Sequence, residues 1–125
     1  MANEFTVSAL LKIDKGFLTD TKNTSNLKVD QTGDGAAGGV QNIGTSAEAI
    51  DVGDVSTLGL AYFRNLDDTN FVQIGQDIGG GGFNEFFKLL AGEVALMRLD
   101  LAATGVLQAK ADTAAIELQY MIYEE

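Results

Sequence analysis

The 125-residue chain contains no cysteine, no histidine, no proline and no tryptophan. Without cysteine it has no disulfides, no thiolate metal sites and no thiol nucleophile. Without histidine it lacks the usual base of a serine or cysteine triad and the commonest ligand of catalytic zinc. Serine hydrolysis fails on a second count: the serines are Ser8, Ser25, Ser46 and Ser56, and none sits in a Gly-x-Ser-x-Gly elbow. Without proline, the turns have to come from residues that tolerate positive φ, and 15 glycines with many Asn and Asp supply them. No window of about 18 residues is both apolar and uncharged, so no helical membrane span is expected. The start, Met-Ala-Asn-Glu-Phe-Thr-Val, has an acid where a signal peptide needs a basic stretch. The expectation is a chain made in the cytoplasm without signal-directed export.

What is present is enough for a packed core. The chain is 46% hydrophobic and 21% charged, and its length suits one domain over residues 1–125. Basic charge is scarce, with 8 Lys and Arg against 18 Asp and Glu, for a net charge of −10. The imbalance is uneven. Residues 1–28 hold Lys12, Lys15, Lys22 and Lys28 against Glu4, Asp14 and Asp20, a balance of +1 that leaves −11 for the remainder. Such a surface repels phosphate backbones and lacks the basic stripe of a nucleic-acid binder.

Hydrophobic periodicity points to strands throughout. In Phe5–Asp14 the odd positions are apolar and the even ones mostly polar, Leu10 excepted, as in a half-buried strand. Leu27–Gln31 is a shorter candidate, and residues 32–44 read as a Gly/Ala-rich surface loop. Ala47–Val52 is a short strand. Leu58–Arg64 has apolar residues on both faces and reads as a central strand, forming a hairpin with Phe71–Ile74 across the turn formers of residues 65–70. Residues 79–82 are a glycine loop, and Phe83–Leu90 follows as a strand or aromatic bend. Glu93–Leu99 has helix-forming residues but too little room for three helical turns, so strand is preferred. Val106–Ala111 and Ile116–Tyr123 complete a set of about eight strands. The fold expected is an antiparallel β-sandwich, of which a jelly roll is one form.

No motif carries catalysis or a cofactor, and no enzyme activity is expected. Asp67 and Asp68 fall in a turn, where adjacent acids are usually solvated. The glycines from Gly75 to Gly82 are not followed by Lys-Ser or Lys-Thr, and Asp77 would repel phosphate. Asp30-Gln-Thr32-Gly-Asp34-Gly35 opens like a calcium loop, but position twelve is Gln41 rather than a bidentate Glu, so no metal site is assigned to Asp30 and Asp34. Phe83, Phe86 and Phe87 are the candidates for a contact surface. Three aromatics within five residues of one strand cannot all face one core, which leaves at least one for a partner.

Several stretches together carry a family resemblance. They are Asp51-Val-Gly53-Asp54 with Gly59, Phe63-Arg64-Asn65-Leu66-Asp67 with Asn70-Phe71-Val72 and Ile74-Gly75, Phe87-Lys88-Leu89 with Gly92-Glu93, and Leu96-Met97-Arg98-Leu99. Ala109–Ala115 and the opening Ala2–Val7 fit the same pattern, which is densest from Asp51 onward. In these the chain resembles small virion structural proteins of tailed bacteriophages, associated with head, neck or tail. The resemblance implies a non-enzymatic β-sandwich subunit located in the virion, which self-associates into an oligomer and contacts other virion proteins; the acidic charge and the lack of an apolar span lead to the expectation of no nucleic acid or membrane partner. The alternative is a carbohydrate- or surface-binding sandwich. Such a site would offer exposed aromatics to sugar rings, whereas tryptophan is absent and Tyr62, Tyr120 and Tyr123 lie on expected strands.

Overall fold

The computed structural model describes residues 3–79 and 82–125. Every regular element in it is a β-strand, and every strand pairing is antiparallel. The chain divides into two compact units, Met1–Gly33 and Asp34–Glu125, where the sequence reading has one sandwich over 1–125. Ten strands are described rather than about eight.

The first unit is a two-stranded ribbon of β1 (Phe5–Lys15) and β2 (Leu18–Val29). Gly16 and Phe17 join them, and Gly16 takes φ +60. Glycine at the first central position is what a type II′ turn demands, and that turn matches the natural twist of a hairpin. Near the other end Val7 pairs with Leu27 but Ala9 with Thr24, so Ser8 opposes both Ser25 and Asn26. Asn26 sits at φ +56 and donates its N–H to Ser8 Oγ at 3.1 Å, the geometry of a β-bulge held by a side chain. Only the end of β2 was legible as a strand, because residues 18–26 are mostly polar and offer no apolar alternation.

The second unit holds two four-stranded sheets. In the front sheet the order is β3 (Ala36–Ile43), β10 (Ile116–Glu124), β5 (Leu58–Asn65) and β8 (Val94–Arg98). In the back sheet it is β4 (Glu48–Ala49), β9 (Val106–Ala111), β6 (Val72–Asp77) and β7 (Phe83–Leu89). Inward residues of both sheets make one core, with Phe63, Ile43, Ile116, Leu118 and Ile122 from the front and Val72, Ile74, Leu107 and Ala109 from the back. The period-two pattern of β10 is realised in full: Ile116, Leu118, Tyr120 and Ile122 are all buried.

Two expectations are corrected. Residues 36–43, expected within the 32–44 loop, form β3 and pair with β10 along its length. Glycine hid this strand. A Cβ at Gly38 would collide with the Tyr120 carbonyl and the Met121 side chain, so the position that blurs the hydrophobic pattern is the one that lets the two strands approach. Leu58–Arg64 and Phe71–Ile74 do not form a hairpin either. β5 belongs to the front sheet and β6 to the back one, and β6 pairs with β7 and β9. The strand expected over Ala47–Val52 is confined to Glu48–Ala49. Of the glycine loop, Gly79 and Gly82 lie outside the strands, and the remaining two positions lie outside the described residues.

Candidate contact surfaces

The two sheets of the sandwich present different outer faces, because pairing places particular residues side by side. Across the back sheet, Gln73 stands between Lys110 and Lys88. Gln and Lys are the side chains a solvated face should carry. Across the front sheet one row runs Gly38, Met121, Tyr62, Leu96, and the next runs Val40, Gln119, Arg64, Val94. Only one charge, Arg64, lies in these two rows. Val40 and Val94 are each 56% exposed, with Leu96 at 44% and Met121 at 36%. The adjacent side chains Met121, Tyr62 and Leu96, with Val94 beside Leu96 on β8, make an exposed apolar patch of the kind that marks an interaction surface.

The ribbon is more mixed. Cross-strand pairing puts Phe5, Val7, Ala9, Leu11, Ile13 and Lys15 of β1 on the same face as Val29, Leu27, Thr24, Lys22, Asp20 and Leu18 of β2, so an apolar stripe along β1 lies beside the Lys22–Asp20 ion pair. The opposite face carries Thr6, Lys12, Asp14, Thr19, Thr21, Asn23 and Lys28, with Leu10 as its large apolar residue. Leu11 is 73% exposed, and Leu18 and Leu27 are also exposed. Two strands alone are marginal in water, and an apolar face on them needs cover before the ribbon is stable.

Phe83, Phe86 and Phe87 separate at a bulge. Ile74 pairs with Phe87 and Gly75 with Glu85, so Phe86 is the extra residue on edge strand β7. Phe87 packs against the core, its ring 6.0 Å from that of Phe63 at a 55° tilt. Phe83 is half-buried and Phe86 is exposed. A Cβ at Gly75 would collide with the backbone of Asn84 and Glu85, so the bulge requires glycine there. It also distorts an edge that would otherwise invite strand pairing.

The Arg64–Asp67 stretch, distinctive in sequence, does structural work. Asn65 is fully buried and is the buried polar side chain among the described residues. Its Nδ2 donates to the carbonyls of Asn70 at 2.8 Å and Leu89 at 3.2 Å, and its Oδ1 accepts the Asp67 N–H at 2.9 Å. These bonds tie the end of the front strand β5 to the chain as it enters the back sheet, which is where a simple hairpin was expected. Asp67 Oδ2 accepts the N–H groups of Asn70 at 2.6 Å and Thr69 at 3.0 Å. Those two donors, Asn70 first, hold the carboxyl below its ordinary value. That is the direction opposite to a general acid, and the shift reports a turn lock.

Two clefts open in the sandwich. One, of about 360 Å³, is lined chiefly by apolar residues including Ile50, Val55, Leu58, Leu99 and Leu107, with Glu125 at its margin. The other, about 560 Å³ and wide open, lies between residues 35–38 and Asp51, Gly53, Asp54 and Tyr120. Tyr120 donates its hydroxyl to the Asp51 carbonyl at 2.6 Å. Burial and the Asp51 charge push the Tyr120 pKa up. Asp30 accepts the N–H of Asn3, and the described residues bring together no group of three or more acidic side chains that could hold a metal.

The surfaces missed in the sequence are the front outer face and the exposure of the ribbon. A signal was present in the alternation of Leu58, Leu60 and Tyr62 against Gly59, Ala61 and Phe63, but it reads equally well as a strand covered on both sides. No protein-family model matches the chain, and no curated protein or solved structure matches it.

Proposed function

We propose that the chain is a non-enzymatic structural subunit of a tailed-phage virion, acting by self-association and by contact with other virion proteins. The observation that carries this reading is the strand order, β3-β10-β5-β8 over β4-β9-β6-β7. Apart from the β6–β7 hairpin, successive strands cross between two four-stranded antiparallel sheets, a crossing pattern like that of the jelly rolls recurrent in viral capsids. Fold-level analogy, the sequence resemblance and the exposed apolar residues Leu96, Val94 and Met121 of the front sheet support it. Acidic charge disfavours direct contact with the genome. The surfaces on offer are aliphatic more than aromatic, which favours protein packing over sugar stacking. Phe86, exposed on its bulge, is a further contact candidate.

The test is to purify particles of the phage that encodes the chain, quantify the chain by mass spectrometry and locate it in a particle density map. Many copies at symmetry-related positions are expected. Absence from particles overturns the reading.

A further inference from the structure

We propose that β3 is an assembly edge, which pairs antiparallel with β3 of a second copy across a twofold axis and joins two front sheets into one. The proposal rests on the structural-subunit reading above and deepens its self-association by naming the surface and the register. The two sheets end on four strands, β3, β8, β4 and β7, and three of these carry the usual protections of an edge. β4 has two residues, β7 has a bulge with Glu85 and Lys88, and β8 is five residues long and ends on Arg98. β3 has eight residues, no charge and an unbroken register with β10.

The backbone groups of that edge are free. Leu66 donates its N–H to the Glu117 carbonyl at 3.0 Å, and Glu124 donates its N–H to the Gly35 carbonyl at 2.8 Å. Alternation along β10 therefore turns Glu117 toward β5 and turns Leu118, Tyr120 and Ile122 toward β3. Their partners on β3 are Gln41, Gly39 and Ala37. The N–H and C=O groups of Ala36, Gly38, Val40 and Asn42 consequently point away from β10, and no backbone partner meets them among the described residues.

A second copy fits this edge in one register. With Gly39 on the axis, Ala36 pairs with Asn42 of the other copy and Gly38 with its Val40, so about eight backbone hydrogen bonds form. Gly39 takes φ +140 and has open space where its Cβ would be. It therefore suits the axis, where the two strands meet as a closely spaced pair without hydrogen bonds. Val40, 56% exposed, comes to stand opposite Gly38 of its mate. Met121 Sδ leans over that glycine, 2.7 Å from where its Cβ would be, so the incoming valine packs on Met121 and extends the row of Met121, Tyr62 and Leu96. Charge favours the same meeting place: two chains of −10 each approach at least cost along a seam that has none. An unrelated strand would gain the backbone bonds alone, since β3 offers no charge or side-chain pocket to select it.

Sedimentation equilibrium of the full chain, over a series reaching millimolar concentration, tests the pairing, because a contact along one strand belongs with the small interfaces below about 1,200 Å². The wild type should be dimeric at the high end and dissociate on dilution. Val40→Lys should raise the apparent dissociation constant about tenfold or more, whereas Val40→Thr on the same edge and Leu96→Ser on the far edge strand should each change it less than about threefold. The register is read by cross-linking. The chain has no cysteine, so Ala36→Cys and Asn42→Cys each add a single thiol. Between unlike chains these positions pair with Cα atoms about 5.5 Å apart, within disulfide range, while between like chains they lie about 20 Å apart along the strands. An oxidised mixture should give disulfide-linked unlike chains, and either variant alone should give few links. Circular dichroism checks the fold of Val40→Lys, and the cross-link decides the register without that variant. A wild type monomeric throughout, a folded Val40→Lys that dimerises normally, a Leu96→Ser that dissociates, or like-chain links as abundant as unlike ones overturns the proposal. A monomeric chain found in particles overturns the edge pairing and leaves the virion reading standing. A β3-linked dimer absent from particles does the reverse.

Discussion

The ribbon and the sandwich are built from the same period-two grammar and end in opposite circumstances. In β10, Ile116, Leu118, Tyr120 and Ile122 point inward and all four are buried, Ile122 fully. In β1, Phe5, Val7, Ala9, Leu11 and Ile13 share one face just as regularly, yet Leu11 and Ile13 remain exposed. Alternation specifies that a strand has an apolar face, and a second layer decides whether that face is core. The sandwich has that layer in its opposing sheet, while the ribbon has one partner strand and a turn. Stability in this chain should accordingly be concentrated in residues 34–125.

The sharpest break of that comparison is Phe63→Ala. Phe63 is fully buried at the centre of the core, and its truncation should cost about 3–5 kcal/mol of unfolding free energy in a denaturant titration. Leu11→Ala removes a similar aliphatic bulk from the ribbon but should move the sandwich transition by less than about 0.5 kcal/mol. Equal losses at the two positions would show that the ribbon belongs to the same cooperative core.

Asn65→Leu should come next, at about 2–4 kcal/mol, because it strands the carbonyl of Leu89 and the Asp67 N–H without their partner. Chemical denaturation followed by tyrosine fluorescence reads this directly. The phenylalanine cluster divides in the same way. Phe87→Ser, which removes a ring from against Phe63, should cost about 2–3 kcal/mol, while Phe86→Ser should stay within about 0.5 kcal/mol. If Phe86 proves the costlier of the two, the bulge does not place these side chains as described.

The smallest effects are electrostatic. Tyr120 has its pKa raised above the ordinary 10.0 by burial and by the Asp51 charge. Its contribution is therefore fully present below pH 10 and lost as pH rises through the folded value. Asp67 is shifted the other way, below 3.8, by the N–H groups of Asn70 and Thr69. Its contribution is present above that value and lost as pH falls through the lower, folded one. Thermal midpoints measured against pH should show a shallow alkaline decline that Tyr120→Phe removes and a shallow acid decline that Asp67→Ala removes. Both variants retaining the wild-type profile would dissociate these bonds from stability.

Legibility in the sequence followed how much a residue's role depends on its immediate neighbours. Val106–Ala111 and Ile116–Tyr123 were readable as strands to within a residue at their ends, since each alternates cleanly between glycine or small-residue turns. β3 was not, because Gly38 and Gly39 erase the pattern while the pairing with β10 that makes it a strand comes from about 80 residues away. The false hairpin between β5 and β6 failed for a related reason. Residues 65–70 look like any polar turn, and only the buried Asn65 amide, bonded to a carbonyl on β7, shows that the turn carries the chain from one sheet to the other. At the contact candidates, the sequence could say that Phe83, Phe86 and Phe87 would not all face one core, but the bulge opposite Gly75 decides which of them does.

By itself, the sequence determined the all-β class, the antiparallel strands, most of their inward faces and the absence of cysteine and histidine chemistry. These follow from local periodicity and composition, which act within a few residues. The tertiary structure decided that residues 34–125 pair into two facing sheets, and that Lys110, Gln73 and Lys88 line up on one outer surface and Met121, Tyr62 and Leu96 on the other. Those facts depend on which strands become neighbours. Strand neighbours are set by the collective burial of one core, and no single segment of the chain contains that information.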